Sequence, residues 1–468
     1  MPNASKTIKP TNRTMNKIPA AFIESVTTRL GSDATKKLLE ALDMPPSVSI
    51  RFNPYKISEK PEGEPVPWSR YGFYLPERPV FTADPLFHGG AYYVQEASSM
   101  FLEAIFTQLF PEPGRMKILD LCAAPGGKTT HLSALSGLEA LVVSNEVIRS
   151  RAKILSENVQ KWGLGNTVVT SNDPERFGEQ LRGFFDLVVV DAPCSGEGMF
   201  RKSPDARNEW TPNNVNLCAS RQQRILADVW DSLKEDGTLI YSTCTFNALE
   251  DEENVRWLLE EFNCEPVHIE TDPAWGIVRG EVEGIETFHF YPHLVRGEGF
   301  FAAVLRKTGK VKKETHLKVR KPVLSDLTKN EFQIIQPWIN QSALMHFAKL
   351  NGERVFGYYA HHREIVNALA EVLAVIYSGV EVGQIMGKKL KPEHSLAVFH
   401  DVSREVMPRV DLDLENALRY LRKEDIDPKL FEEGINLVAF AGLPIGWIKR
   451  IGHRVNNLYP KEWRILNV

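Results

Sequence analysis

The chain has few cysteines, no long apolar run and almost no net charge, and each shortage excludes something. Five cysteines occur in 468 residues, and Cys122, Cys194, Cys218, Cys244 and Cys264 form no CxxC pair. So sparse and odd a set argues against a disulfide framework and fits a reducing, cytoplasmic setting. No run of about 18 apolar residues exists, which excludes a spanning helix and predicts no membrane partner. The most apolar helical stretch, Ala368 to Val380, is short and interrupted by Glu371. A net charge of −4 and a pI near 6.3 give no bulk attraction to nucleic acid, so any such contact has to be local. The adjacent pair His361-His362 lacks partners at ligand spacing, and no metal is expected.

The N-terminus lacks acids and an apolar core up to Ile23 but carries Lys6, Lys9, Arg13 and Lys17, which is no secretory signal. A transit peptide would have to form a helix across Pro2, Pro10 and Pro19. The segment reads as a loose basic arm, or as an upstream start with Met15 as the initiator.

What is present is a globular composition, 43% hydrophobic and 25% charged, long enough for roughly three domains. Short apolar runs recur at Met116 to Leu121, Ala140 to Val143, Thr167 to Thr170, Phe185 to Val190, Thr238 to Tyr241 and Phe300 to Leu305. Helix-like stretches such as Arg149 to Lys161 and Gln222 to Leu233 separate them. Continuous apolar strands alternating with helices predict an α/β fold with a mostly parallel, doubly wound sheet. Two basic stretches flank this order. Arg306 to Lys321 holds eight Lys or Arg in sixteen residues, a solvated linker or a phosphate-contacting strip. Near the C-terminus, Lys449, Arg450, Arg454, Lys461 and Arg464 interleave with Trp447, Tyr459 and Trp463. Such a mixture grips phosphates and bases, or is the core of a small β-rich domain with a basic exterior.

The strand ends carry chemistry. Cys122-Ala-Ala-Pro-Gly-Gly-Lys128 follows the first run, Glu146 the second, Asp173 the third and Asp191 the fourth. Ligands of open α/β sheets bind beyond the carboxyl ends of the strands. Acids converging there repel one another unless a ligand supplies donors or positive charge. The loop is neither a Walker motif nor a GxGxxG fingerprint. A Gly-rich turn followed by an acid about 20 residues on suits a nucleoside held by its ribose. S-adenosylmethionine offers that ribose together with a sulfonium and an ammonium.

Two cysteines stand in the next two loops, Asp191-Ala-Pro-Cys194-Ser-Gly-Glu-Gly198 and Ser242-Thr-Cys244-Thr245. Cys218 and Cys264 read as inert packing, and Cys122 as part of the cofactor turn. Cys194 and Cys244 lie in strand-to-loop switches where a side chain meets a substrate. Methyl transfer to carbon 5 of a pyrimidine needs a thiol, because a thiolate added to carbon 6 makes carbon 5 nucleophilic. Asn247 with Glu250 predicts a capping box opening a helix just after Cys244. A helix N-terminus favours the thiolate, while Glu250, Asp251, Glu252 and Glu253 oppose it.

LDLCAAPGGKTT (Leu119 to Thr130), DAPCSGEGMFRK (Asp191 to Lys202) and YSTCTFNALEDEEN (Tyr241 to Asn254), in this order, resemble the RNA (cytosine-5) methyltransferases of the Sun/Fmu (NOL/NOP) type. Gln95 to Ser99 and Arg51 to Pro54 extend the resemblance upstream. LPIGWIKRIGHRVNNLYPKEWR (Leu443 to Arg464) is similar to the PUA-like end of the bacterial RsmF subgroup. The resemblance implies a Rossmann-like S-adenosylmethionine-dependent catalytic domain over 93–308. It further implies an N-terminal arm and RNA-binding subdomain over 1–92, a basic linker and intermediate domain over 309–385, and a PUA-like module over 386–468. It assigns Cys122, Ala123, Ala124, Pro125, Gly126, Gly127 and Lys128 to the cofactor, Glu146 to its ribose, Asp173 to its adenine, and Arg151 to a basic position nearby. Asp191 would meet both the cofactor amino group and the target base. Cys244 would be the nucleophile and Cys194 would assist adduct release. The implied reaction is carbon-5 methylation of cytosine in small-subunit (16S) ribosomal RNA by a monomer. The alternatives are a tRNA substrate, or a ribosome-assembly factor that binds both ligands with little turnover. A DNA-type enzyme would instead use Cys194 as nucleophile, and a zinc-binding regulator would need ligands that are missing.

Overall fold

The computed structural model describes residues 17–466 except 60, 62, 312–313, 316–322 and 351. The basic arm with its candidate start, and much of the Arg306 to Lys321 run, lie outside the described residues.

The first described elements are two helices, α1 (Ala20–Leu30) and α2 (Ser32–Leu42). They pack Phe22, Val26, Leu38 and Leu42 against Phe200, Trp210 and Phe246. Strands β1 (Val48–Phe52), β2 (Gly72–Leu75) and β3 (Tyr92–Val94) then form, with Glu64–Pro65, a four-stranded antiparallel sheet.

The central sheet has ten strands. Its labelled members are β4 (Lys117–Asp120), β5 (Leu141–Asn145), β6 (Thr167–Thr170), β7 (Phe185–Asp191), β8 (Leu233–Thr243), β9 (Val278–Val282), β10 (Ile285–Phe290), β11 (Phe300–Lys307) and β12 (Val375–Ser378). The order is β9-β10-β11-β8-β7-β4-β5-β6-β12. Strands β4 to β8 run parallel, joined by crossover helices that include α3 (Gly127–Leu135), α4 (Arg149–Trp162) and α5 (Pro212–Trp230). Helix α6 (Glu252–Glu261) follows β8.

Why these runs become strands shows in their alternation. Leu119, Val143, Val188, Leu239 and Phe301 enter one core, while Ile118, Val142, Leu187, Ile240 and Phe300 enter the core on the other face. Both faces are covered, so the strands read as unbroken apolar runs. Each such side chain fully buried contributes about 1.5–3 kcal/mol. The run at Phe300 to Leu305 differs from the other expected strands in pairing antiparallel with β8, because it returns from the β9–β10 hairpin instead of a crossover helix. The expected helical stretch at Ala368 to Val380 also splits: a helix ends at Val372, and β12 continues as an antiparallel neighbour of β6.

The chain winds outward from β4 through β5 and β6, then returns to add β7 and β8 on the other side. The order reverses between β4 and β7, and the crevice at their carboxyl ends is the expected ligand position. A five-stranded antiparallel sheet (324–392) and a four-stranded sheet (409–457) complete the molecule. No helix among the described residues is long and apolar enough to cross a membrane.

Candidate active site

A cleft of about 350 Å³ opens at that reversal. Cys122 to Pro125, Gly127 and Lys128 line it after β4, Asp191 at the end of β7, and Cys244 after β8. Gln95, Lys202 and Phe300 close other sides. Gly126 has φ +113, left-handed backbone that lets the loop turn into α3.

The charges are matched by specific partners. Lys128 Nζ lies 2.8 Å from Asp191 Oδ2, and Ser242 Oγ donates to Asp191 Oδ1 at 2.8 Å. Glu146 accepts from the Ile148 N–H at 3.0 Å and faces Arg151 Nη1 at 3.3 Å. Arg151 also donates to the Ala124 carbonyl at 2.9 Å, tying the loop after β4 to the end of β5. Asp173 is exposed and follows Asn172, whose N–H donates to Asn145 Oδ1 at 2.9 Å at the end of β5. The expected mutual repulsion is relieved at Glu146 by Arg151 and at Asp191 by Lys128. Asp120, Glu96 and Glu298 line the cleft together with Asp191, and Asp120 is fully buried. Burial pushes its carboxyl up to about 7, although Thr129 Oγ1 donates to Oδ2 at 2.6 Å. Its Oδ1 has no partner.

The two cysteine loops meet. Cys194 Sγ and Cys244 Sγ are 3.0 Å apart, and the Cys244 N–H donates to Cys194 Sγ at 3.4 Å. Cys244 lines the cleft, and Cys194 is not among its lining residues. The hydrogen bond with Cys244, burial and the Glu250 charge hold the Cys194 thiol well above its usual range. The expected capping box is only half formed: Glu250 N donates to Asn247 Oδ1 at 2.9 Å, but α6 begins at Glu252 behind Asp251. Glu250 and Asp251 are buried, not a solvated acidic face. Glu250 is drawn inward by the Ser195 N–H and Gln222 Nε2, and Asp251 by the Thr243 and Thr245 hydroxyls of its own loop. Cys218 is buried on α5, and Cys264 is half-buried.

Family models match three stretches: the N-terminal domain of 16S rRNA methyltransferase RsmF at residues 18–97, 16S rRNA methyltransferase RsmB/F at 106–306, and the methyltransferase RsmF PUA domain at 408–465. The chain is 32% identical to ribosomal RNA small subunit methyltransferase F of Escherichia coli (strain K12), over 95% of this chain and 96% of that one. It is 30% identical to the protein of the same name from Klebsiella pneumoniae (strain 342), with the same coverage. The chain belongs to the RsmF family. A solved methyltransferase homologue from Pyrococcus horikoshii is 28% identical, with a TM-score of 0.52 over 61% of this chain and 94% of that one. NSun6 from the same organism, solved with SFG, shares the fold at 20% identity and a TM-score of 0.53, over 63% of this chain and all of that one.

The methyl donor of this RsmF-family chain is S-adenosylmethionine. The cleft fits it: an unpaired Asp120 oxygen beside Asp191 suits a cationic, donor-bearing group better than an apolar one. Sequence reasoning missed Asp120, and it missed Arg51. The Arg51 guanidinium is buried, donates to Gln95 Oε1 at 2.8 Å, to Thr130 Oγ1 at 2.6 Å and to the Gly127 carbonyl at 3.2 Å, and lies 4.4 Å from the Trp162 ring. Burial lowers it to about 9. The available signal was a charged residue within an otherwise half-apolar strand, Val-Ser-Ile-Arg-Phe. At the C-terminus, Trp447 and Tyr459 are core residues, Trp447 Nε1 donating to the Glu393 carbonyl at 2.9 Å. The core reading of those aromatics holds there. Lys307, first of the basic strip after Arg306, is likewise buried and donates to the Trp230 and Leu233 carbonyls at 3.0 Å.

Proposed function

We propose that the protein methylates carbon 5 of cytosine in small-subunit (16S) ribosomal RNA, with Cys244 as the covalent nucleophile. The observation that carries this is that Cys244 lines the same cleft as the Cys122 to Lys128 loop, with a second thiol 3.0 Å from it. A binder of the cofactor and RNA has no use for such a pair.

S-adenosylmethionine would supply an electrophilic methyl group; Cys122 to Lys128 and Asp120 would hold it, and Glu146 would take its ribose. The Cys244 thiol gives its proton to solvent and the thiolate adds to carbon 6, and the displaced ring electrons make carbon 5 nucleophilic while N3 takes up a proton from solvent. The Asp191 carboxylate, oriented by Ser242 and Lys128, holds that proton at N3. After methylation a solvent base takes the carbon-5 proton, N3 returns its proton to solvent past Asp191, the carbon 5–carbon 6 double bond re-forms, and the Sγ–carbon 6 bond breaks. The departing electron pair returns to Cys244 Sγ. Cys194, kept as a thiol, hydrogen-bonds that sulfur and eases its departure. The target base must leave its stack to reach this wall. Presenting it falls to the N-terminal subdomain and the PUA domain, which read RNA shape and unpaired bases.

The test is nucleoside analysis after incubation with S-adenosylmethionine and naked 16S RNA, small subunits or tRNA in parallel. The proposal predicts 5-methylcytidine in a small-subunit substrate. Product confined to tRNA, or a methyl group on another atom, would overturn it.

A further inference from the structure

Each cysteine loop carries one buried glutamate that accepts a backbone N–H from the other loop. Glu197, three residues after Cys194, accepts the Phe246 N–H at 2.6 Å. Glu250, six residues after Cys244, accepts the Ser195 N–H at 2.9 Å. Asn247 Nδ2 joins the two carboxylates, donating to Glu197 Oε1 at 3.1 Å and to Glu250 Oε1 at 2.8 Å. The remaining acceptor capacity is met by Trp210 Nε1 on Glu197 at 2.9 Å and by Gln222 Nε2 on Glu250 at 2.7 Å. A fourth strut, the Gly198 N–H to the Cys244 carbonyl at 2.8 Å, crosses the same gap.

We infer that Glu197 and Glu250 are positioning residues: a reciprocal clasp that fixes the Cys194 and Cys244 thiols in contact. Strand pairing brings the two loops side by side, with Asp191 in register with Ser242, and the carboxylate struts lie beyond that pairing, on the segments that carry the two sulfurs 3.0 Å apart. Two buried carboxylates are a costly way to stabilise a fold, because desolvation opposes their charge. Their partners account for their presence. Every named partner of both carboxylates is an N–H donor, so only a group with two accepting oxygens satisfies them. Glutamine has the same shape but turns an NH2 toward at least one donor in either orientation, and the clasp opens without leaving a cavity. The catalytic consequence rests on the two-cysteine reading given above; the geometry of the clasp does not.

The test uses the full chain with Glu197→Gln and Glu250→Gln. The oxidant diamide takes one electron and one proton from each thiol and is reduced to its hydrazine as the disulfide forms. Intact-mass and peptide analysis then gives the rate of Cys194–Cys244 bond formation. Each variant should cross-link at least about tenfold more slowly than the wild type, since small misplacements of reacting atoms cost that much or more. Equilibrium binding of S-adenosylmethionine should stay within about twofold, which a general loosening of the site would not allow. Each variant should also accumulate the RNA adduct with Cys194 intact, as Cys194→Ala does. Cross-linking at wild-type rates overturns the clasp. Slowed cross-linking with no adduct in any variant, Cys194→Ala included, upholds the clasp and removes the covalent reading instead. Should the variants fail to fold, hydrogen exchange of the wild type decides. The Ser195 and Phe246 amides should be protected, and exchange at the rate of an unstructured loop overturns the inference.

Discussion

Asp120 shows how a residue can be plain in the sequence and still hide its state. It ends an apolar strand, yet its role depends on burial and on an oxygen left without a donor, which no local pattern reveals. A carboxyl held near 7 in the folded chain keeps a proton that the unfolded chain releases above about 4. The folded state therefore binds more protons between those values, and stability falls as pH rises through this window, by a few kcal/mol. Asp120→Asn removes that slope. Urea midpoints of the variant should exceed those of the wild type at pH 7.5, and the gap should close toward pH 4. Parallel curves would mean that Asp120 is not desolvated as described. Cys194 and Cys244 were legible as loop residues with a task, because each stands beside proline, serine or threonine at a strand end. Their contact was not, since it arises from two parallel strands about 50 residues apart in the chain.

At the scale of elements, the cofactor loop is set by one glycine more than the other. Gly126 has φ +113, and a Cβ there would come within 3.2 Å of Leu155 Cδ1. Gly127 has ordinary backbone, and its Cβ would meet Tyr93 and Gln95 at 3.5 Å and beyond. Gly126→Ala should cost about 1–2 kcal/mol of stability, and Gly127→Ala only a few tenths, by thermal or denaturant unfolding. Equal costs would contradict this account of the turn. The five parallel strands and the helix Arg149–Trp162 were legible because apolar runs and helical spacing are local signals. The capping box was misplaced because Glu250 is drawn to Ser195 and Gln222, partners that sequence spacing does not show. Arg51 was similarly obscured: its value lies in spanning from β1 to the first turn of α3.

Across the whole molecule, the segment after the methyltransferase sheet is part of its architecture. Strand β12 covers the β6 edge, and Leu324, Tyr358, Val366, Leu369 and Leu373 enter the same core as β4 and β7. Composition gave no sign of this, because an edge strand and a linker look alike when the partner is 200 residues away. A chain ending at 308 should therefore expose an unpaired edge and an apolar face. It should aggregate or unfold at lower temperature than the full chain, by calorimetry and light scattering; equal thermal stability would show that the two parts fold independently. The central claim is chemical, and a denaturing gel tests it most directly. Cys194→Ala protein is incubated with S-adenosylmethionine and labelled small-subunit RNA. The account predicts a shifted protein–RNA band that is lost in the Cys194→Ala/Cys244→Ala double variant. An adduct formed by Cys244→Ala and absent with Cys194→Ala would contradict it, reversing the roles of the two thiols.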